Sequence, residues 1–348
     1  MHQANETYSI PGRYSRQVLF SGIGNEGQGR IIASRVAVVG CGALGSVQAS
    51  LLVRAGVGTL RIIDRDFVEE SNLQRQILFD EEDVRSVQPK AIAAEKKLQP
   101  VNSLVKVEGV VEDVNAATVE RLLGGFDLIV DASDNFDVRF LINDYAIKNG
   151  IPWIYGACVG SYGMTFPILP GESACLRCVF ESLPSAGPAP SCDTAGVIGP
   201  IVSVIAAMQV AEALKILSGR RDDVNRRMTM IDLWENSHEE VNLPSRHPDC
   251  PCCGHRKFPY LEGILGADAT TLCGRSSVQI RRREGGKIDL EGLARRLGPL
   301  GRLERNRFLL RAVIDGYQLT IFADGRAIIN GTYDMSIAKS LYARYIGN

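Results

Sequence analysis

The stretch Arg35-Val36-Ala37-Val38-Val39-Gly40-Cys41-Gly42-Ala43-Leu44-Gly45 decides how the rest of the chain is read. Its first five residues are rich in β-branched side chains and predict a buried strand. Glycines follow at 40, 42 and 45, and the segment from Ser46 to Ala55 has helical character until Gly56 and Gly58 stop it. A glycine-rich turn from strand into helix lets the backbone approach a phosphate, and the helix N-terminus offers free N–H groups to it. Thr59–Ile63 reads as the next strand and ends in Asp64. That acid stands roughly 20 residues past the loop, where a carboxylate would hydrogen-bond a ribose. The unit is βαβ with a parallel sheet. A tight turn without a ligand is the plain alternative, and the loop does not say which nucleotide binds.

Outward from this unit the pattern repeats. Val105–Val111 and Asp127–Val130 read as strands, and Pro89–Leu98 and Arg139–Lys148 as helices. Trp153–Ala157, Gly163–Ile168 and Met228–Trp234 are further strands. The apolar run Ile201–Leu217 is broken by Gln209, Glu212 and Lys215, which marks a buried helix rather than a membrane span. From 181 to 195 Ser, Pro, Gly and Ala dominate and predict a long loop. The expected fold is α/β, a doubly wound and mostly parallel sheet with a Rossmann-like nucleotide site. Beyond Phe258 the texture changes. Strands at 277–282, 308–314, 318–323 and 327–329, with helices at 290–297 and 336–345, predict a small α+β module. The expected divisions are 1–256, a linker over 257–272, and 273–348.

With 348 residues the chain is long enough for a large core, and its formal net charge of −1 gives no reason to invoke nucleic acid or an anionic membrane. Residues 1–20 contain no apolar stretch after a basic start, so the nine cysteines point to metal and thiol chemistry in a reducing cytoplasm. Four of them form two Cys-x-x-Cys pairs, Cys175/Cys178 and Cys250/Cys253, which fit a closed tetrahedral zinc site. Cys252 leaves the register of the second pair open. Cys41 and Cys158 read as packing residues, and Cys273 has no evident partner.

Between loop and cysteines lie groups that a dehydrogenase would not need. Arg75 and Lys90 could neutralise a triphosphate. Asp134, in Asp131-Ala-Ser-Asp134-Asn135 at the end of a third strand, could hold a hard cation such as Mg²⁺. For Asp134 and Asn135, N-capping of the following helix is the competing reading.

Taken together, Arg13-Tyr14-Ser15-Arg16-Gln17, the Gly40–Gly45 loop, Asp64-x-Asp66, Ser71-Asn72-Leu73-Gln74-Arg75-Gln76, Gln88-Pro89-Lys90, Ser133-Asp134-Asn135 and the two cysteine pairs resemble the ThiF/MoeB family, bacterial relatives of ubiquitin-activating enzymes. The likeness spans roughly residues 8–255. It implies Mg-ATP-dependent adenylation of the C-terminal Gly-Gly carboxylate of a ubiquitin-like sulfur carrier, ThiS-like first and MoaD-like second, for thiamine or molybdopterin biosynthesis. It also implies that Gly40, Gly42, Ala43 and Gly45 cradle the nucleotide, that Asp64 holds the ribose with Asp66 beside it, and that Ser71, Asn72, Leu73, Gln74, Arg75 and Lys90 line the phosphates. Asp134 would bind Mg²⁺, and Asn135 beside it would line the nucleotide site. Ala43 departs from the pattern, since many relatives have glycine there. Arg16 would reach the ATP of a second subunit, making the enzyme a homodimer. Cys192, in the loop before the apolar helix, would take part in sulfur transfer. The tail beyond the zinc region resembles in placement that of ThiF-type proteins of some Gram-positive bacteria, and the lack of a cysteine beyond Cys273 argues against a rhodanese. The alternatives are a dehydratase adenylating tRNA-bound threonylcarbamoyladenosine, an NAD-dependent oxidoreductase, and a nucleotide-binding scaffold.

Overall fold

The computed structural model describes residues 10–180, 195–265, 269–272, 277–280, 288–306, 309–323, 325–332 and 334–347. Cys192 and Cys273 lie outside them. The chain divides into two compact units, with the main break between Leu265 and Gly266.

The first unit is built on eight strands: β1 Arg35–Val39, β2 Thr59–Ile63, β3 Lys106–Val110, β4 Leu128–Asp131, β5 Trp153–Val159, β6 Tyr162–Ile168, β7 Arg227–Asp232 and β8 Ser237–Asn242. Their order is β3-β2-β1-β4-β5-β6-β7-β8. The first five are parallel, and β6, β7 and β8 continue the sheet antiparallel. The order 3-2-1-4-5 places the reversal between β1 and β4, where ligands enter such sheets at the carboxyl ends of the strands. The central strands β1 and β4 are buried along almost their whole length because helices cover both faces, whereas β2 and the edge strand β3 carry Arg61 and Glu108. Val36, Val38, Leu60, Ile62, Leu128 and Val130 share one core, and Ala37, Val39, Ile63 and Ile129 lie in the other. β8 is exposed at every residue, so its sequence carries no burial pattern to read.

The helix Gly199–Leu217 is the one described helix long and apolar enough to cross a membrane. It buries Ile201, Val202, Ile205 and Ala206 against Leu44 and Val47 of the helix Ala43–Ala55. At Gly163 of β6 a Cβ would come within 2.4 Å of Ile205, so the missing side chain there is what lets this helix lie on the sheet.

The second unit has one antiparallel sheet of β9 Ala269–Leu272, β10 Ser277–Ile280, β11 Arg302–Arg305, β12 Leu309–Ile314, β13 Tyr317–Phe322 and β14 Ala327–Asn330, in the order β11-β12-β13-β14-β10-β9. Its core takes Leu293 and Leu297 from the helix Leu290–Leu297, and Ala338, Leu341, Tyr342 and Tyr345 from the helix Met335–Tyr345. Asp315 (φ 53°) and Gly316 (φ 80°) join β12 to β13 in the left-handed conformation that a two-residue hairpin requires. The stretch 257–272, expected as a linker, is structured at both ends. Phe258 and Tyr260 are buried in the first unit, where Tyr260 stacks on Phe140 at 5.2 Å, and Ala269–Leu272 is already β9.

Candidate functional site

The crevice lies at the carboxyl ends of β1, β2 and β4. Gly40 has φ 96°, and a Cβ there would meet the Ala132 carbonyl oxygen at 2.5 Å; one on Gly45 would meet the Gly40 oxygen at 2.1 Å. These two glycines pack the loop against the β4 loop and against itself. Gly42 is different: its Cβ would find only Gln76 Nε2, at 3.8 Å. Gly42 is the N-cap of the helix Ala43–Ala55 and supplies no capping side chain. The first-turn N–H groups beginning at Ala43 therefore keep their capacity to bind an anion.

Asp64 ties β2 to this loop. Its carboxylate accepts from the Cys41 N–H at 2.6 Å and from the Asp66 N–H at 2.7 Å. Burial pushes the carboxyl up, and Lys90 pulls it back. Lys90 is 5% exposed and opens the helix Lys90–Leu98; its Nζ lies 3.5 Å from Asp66 Oδ2. Arg65, whose role the sequence reading missed, donates to Asp113 Oδ1 at 2.8 Å. Burial works against its charge, while Asp113, Asp66 and Asp134 hold it protonated.

The Ser71–Gln76 segment splits its labour. Asn72 is 1% exposed, and its Oδ1 accepts from the Glu69 N–H at 3.1 Å, which closes the turn Glu70–Asn72. Arg75 donates to the Ser71 carbonyl oxygen at 2.8 Å. Leu73 packs into the core, and Gln74 reaches the Val197 carbonyl at 3.5 Å.

After β4 most of the polar groups are spent on structure. Asp131 is fully buried and accepts from the Ser133 N–H (2.9 Å), the Ser133 hydroxyl (2.7 Å) and Arg139 Nε (3.2 Å). Arg139 also donates to the Ser133 and Gly156 carbonyls at 2.7 and 3.1 Å. Burial pushes the Asp131 carboxyl up, and the guanidinium opposes that push. Asn135 caps the helix Phe136–Asn149, accepting from the Asp137 N–H at 2.8 Å. This is the capping reading, realised by Asn135, while Asp134 stays exposed toward solvent.

A buried amide pair braces the same region. Gln48 Nε2 donates to Gln209 Oε1 at 2.6 Å, and both amides donate to the Asp131 carbonyl, at 3.1 and 2.9 Å. Gly156 leaves room for it, since a Cβ there would lie 2.4 Å from the Gln209 amide. The sequence signal was a glutamine inside an apolar helix.

Arg16 stands exposed on the helical turn Ser15–Val18, outside this constellation. Its neighbours Leu19 and Phe20 are 72% and 65% exposed.

The two cysteine pairs meet although 75 residues separate them. The sulfurs of Cys175, Cys178, Cys250 and Cys253 all lie within 4.8 Å of one another. Cys175–Cys178, Cys175–Cys250 and Cys178–Cys253 are 3.8, 3.7 and 3.4 Å apart. Zn–S bonds of about 2.3 Å in a tetrahedron put sulfurs about 3.8 Å apart, so the donor set fits zinc. Three of the four are buried. Cys252 falls outside the set; its sulfur accepts from Asn143 Nδ2 at 3.2 Å, which settles the register.

Fold and site thus define a Rossmann-type nucleotide-binding protein with a closed thiolate cluster. Residues 14–252 match the ThiF family, and the chain belongs to that family. It is 47% identical to the sulfur carrier protein ThiS adenylyltransferase of Bacillus subtilis, over 97% of this chain and all of that one. It is 40% identical to the sulfur carrier protein adenylyltransferase of Thermus thermophilus, over 70% of this chain and 90% of the relative. Among solved structures, E. coli MccB with ATP superposes with a TM-score of 0.62 at 25% identity, covering 70% of this chain and 75% of MccB.

Proposed function

We propose that the protein uses ATP to adenylate the C-terminal carboxylate of a ubiquitin-like sulfur carrier ending in Gly-Gly. The observation that carries this reading is the crevice: an uncapped helix N-terminus, a ribose-type acid hydrogen-bonded to the phosphate loop, and a buried lysine beside it. The 47% identity to a ThiS adenylyltransferase along the whole chain supports a ThiS-like carrier, and hence thiamine biosynthesis, over a MoaD-like one.

A carboxylate oxygen of the carrier attacks the α-phosphorus, the bond from that phosphorus to the bridging oxygen of the β-phosphate breaks, and pyrophosphate leaves. Asp64 orients the ribose. The N–H groups at Ala43 and Leu44 hold phosphoryl oxygens, and Lys90 and Arg75 balance the charge that develops as pyrophosphate departs. Asp134, exposed at the rim, would hold Mg²⁺, which neutralises phosphate charge when bound. Arg16 would complete the site across a homodimer, for which its exposure beside Leu19 and Phe20 is the support. Zinc at the four cysteines would be structural, since four thiolates leave it no open position. Cys192 would act after adenylation, in sulfur transfer.

The test is exchange of labelled pyrophosphate into ATP with purified Gly-Gly carriers. Exchange with a ThiS-like carrier is expected, and Asp64→Ala and Lys90→Ala should each lower it at least tenfold. Absence of exchange with every carrier would sink the reading. Cys192→Ala should keep exchange and lose sulfur transfer to the carrier.

A further inference from the structure

Arg16 would complete the site of a second copy, yet it sits on a helical turn of four residues, Ser15–Val18, too short to hold itself. Buried polar groups on either side of Arg16 hold the turn instead. Tyr14 is 2% exposed, and its ring lies on Gly56, where a Cβ would come within 2.4 Å of it. Gly56 has φ 87° and closes the helix Ala43–Ala55. Asn102 stands in the loop between the helix Lys90–Leu98 and β3 and is 1% exposed. Its Nδ2 donates to the Tyr14 hydroxyl and to the Val53 carbonyl, both at 2.8 Å. Its oxygen accepts from Arg13 and from the Leu104 N–H. On the other side, Gln17 Nε2 donates to Gln28 Oε1 at 2.6 Å and to the Ala55 carbonyl at 3.0 Å. Gln28 is fully buried and donates to the same carbonyl at 3.0 Å. Arg13, Tyr14 and Gln17 thus all bond inward. Arg16 between them is exposed and makes no hydrogen bond or ion pair among the described residues. A surface turn with nothing to present can fray without loss. Three buried side chains with polar ends, Tyr14, Asn102 and Gln28, are nonetheless committed to this one.

We infer that Asn102 is a positioning residue for Arg16. Through Tyr14, and with Gln17 on the far side, it fixes the turn so that Arg16 is presented outward to the triphosphate in a second copy of this chain. The inference rests on the adenylation reading and on the role across subunits proposed for Arg16. A guanidinium reaching from a frayed turn would have to order backbone as well as side chain at every turnover. With the backbone already held, only the side-chain torsions are left to settle. Leu19 and Phe20, exposed on the same segment, are apolar surface that a second copy would cover. Anchor and crevice share one helix. Asn102 and Gln17 bind carbonyls at the C-terminal end of Ala43–Ala55, and the phosphate loop leads into its N-terminal end. A defect at Asn102 therefore falls either on the phosphate loop of its own subunit or on the site of its neighbour, and subunit mixing separates the two.

Asn102→Ala is expected to lower pyrophosphate exchange at least tenfold at saturating ATP and carrier. The deciding measurement then mixes subunits. Asp64→Ala has a spoiled ribose site and an intact Arg16 turn. Dissociated and reassociated one to one with Asn102→Ala, it should form mixed dimers in half of the population, each with one site whose two parts are both intact. Exchange should return to roughly a quarter of the wild-type rate. If Asn102→Ala does not fold, Gln17→Ala carries the same test, since Gln28 keeps its own bond to Ala55. Exchange by Asn102→Ala within threefold of wild type would overturn the inference. So would a mixture no more active than the two variants alone, because the defect would then lie in the phosphate loop of the Asn102→Ala subunit itself. Arg16→Ala mixed with Asp64→Ala is the control. If that pair does not recover while wild type exchanges, Arg16 does not act across subunits, and the inference falls while the adenylation reading stands. If wild-type protein exchanges no label with any carrier, the adenylation reading falls and takes the inference with it.

Discussion

The crevice and the cysteine cluster are assembled in opposite ways. In the cluster every motif residue has the same job: four sulfurs converge, they are mostly buried, and the neighbouring Cys252 is held out of the set by Asn143. In the crevice, adjacent motif residues have different jobs. Asp131 and Asn135 are bound into the protein and Asp134 between them is not. Asn72 closes its own turn, while Gln76, four residues on, brings its Nε2 close to Gly42. A closed site needs only donors at the right distance. An open site must hold its ligand-facing groups still, so most of its polar atoms serve the few that face solvent.

The largest effect should come from the cluster. Cys250→Ser, or prolonged chelation, would remove the stabilisation that zinc at this cluster would provide, about 10 kcal/mol or more in small zinc domains. Loss of the first unit's cooperative melting together with loss of protein-bound zinc is expected. A purified protein free of zinc and stable would break the comparison at its closed end. Next comes the ion pair beneath the open site. Arg139→Met leaves Asp131 buried without its cation and should cost about 3–5 kcal/mol, read as a lower denaturation midpoint. An unchanged midpoint would mean that this pair does not hold the β4 loop.

Asp134→Ala separates support from ligand-facing roles. Because the side chain is exposed, stability should move by no more than about 0.5 kcal/mol. Pyrophosphate exchange should nonetheless fall 100-fold or more. A large fall in stability instead would place Asp134 with its supporting neighbours. The smallest effect is expected at Asn135→Ala, about 1 kcal/mol from loss of an N-cap, with exchange at saturating substrate nearly intact. Strong loss of exchange there would return Asn135 to the ligand side.

Much of this was legible in advance, for identifiable reasons. The central strands are short β-branched runs, each followed by a turn or an acid, and βαβ repetition marks a parallel sheet, while the strand order came from the structure. The all-exposed β8 was not legible, because neither face is buried and no alternation marks it. β9 falls inside the stretch expected to be a linker, and Phe258 and Tyr260 earlier in that stretch belong to the first unit's core. Arg65 and Arg139 carried no signal in the sequence, since a sequence does not show which guanidinium will be buried against an aspartate.

By itself the sequence determined the nucleotide loop, the doubly wound class, the family resemblance and the two cysteine pairs as candidate metal ligands. These are local patterns, set by side-chain period, glycine sterics and donor chemistry within a few residues. Only the tertiary structure decided that Cys252 is excluded, that Asn135 caps and Asp134 does not, and that Gln48 and Gln209 brace β4. Each of those outcomes depends on which distant backbone atom arrives within hydrogen-bonding distance, and that is fixed when the strands and helices pack.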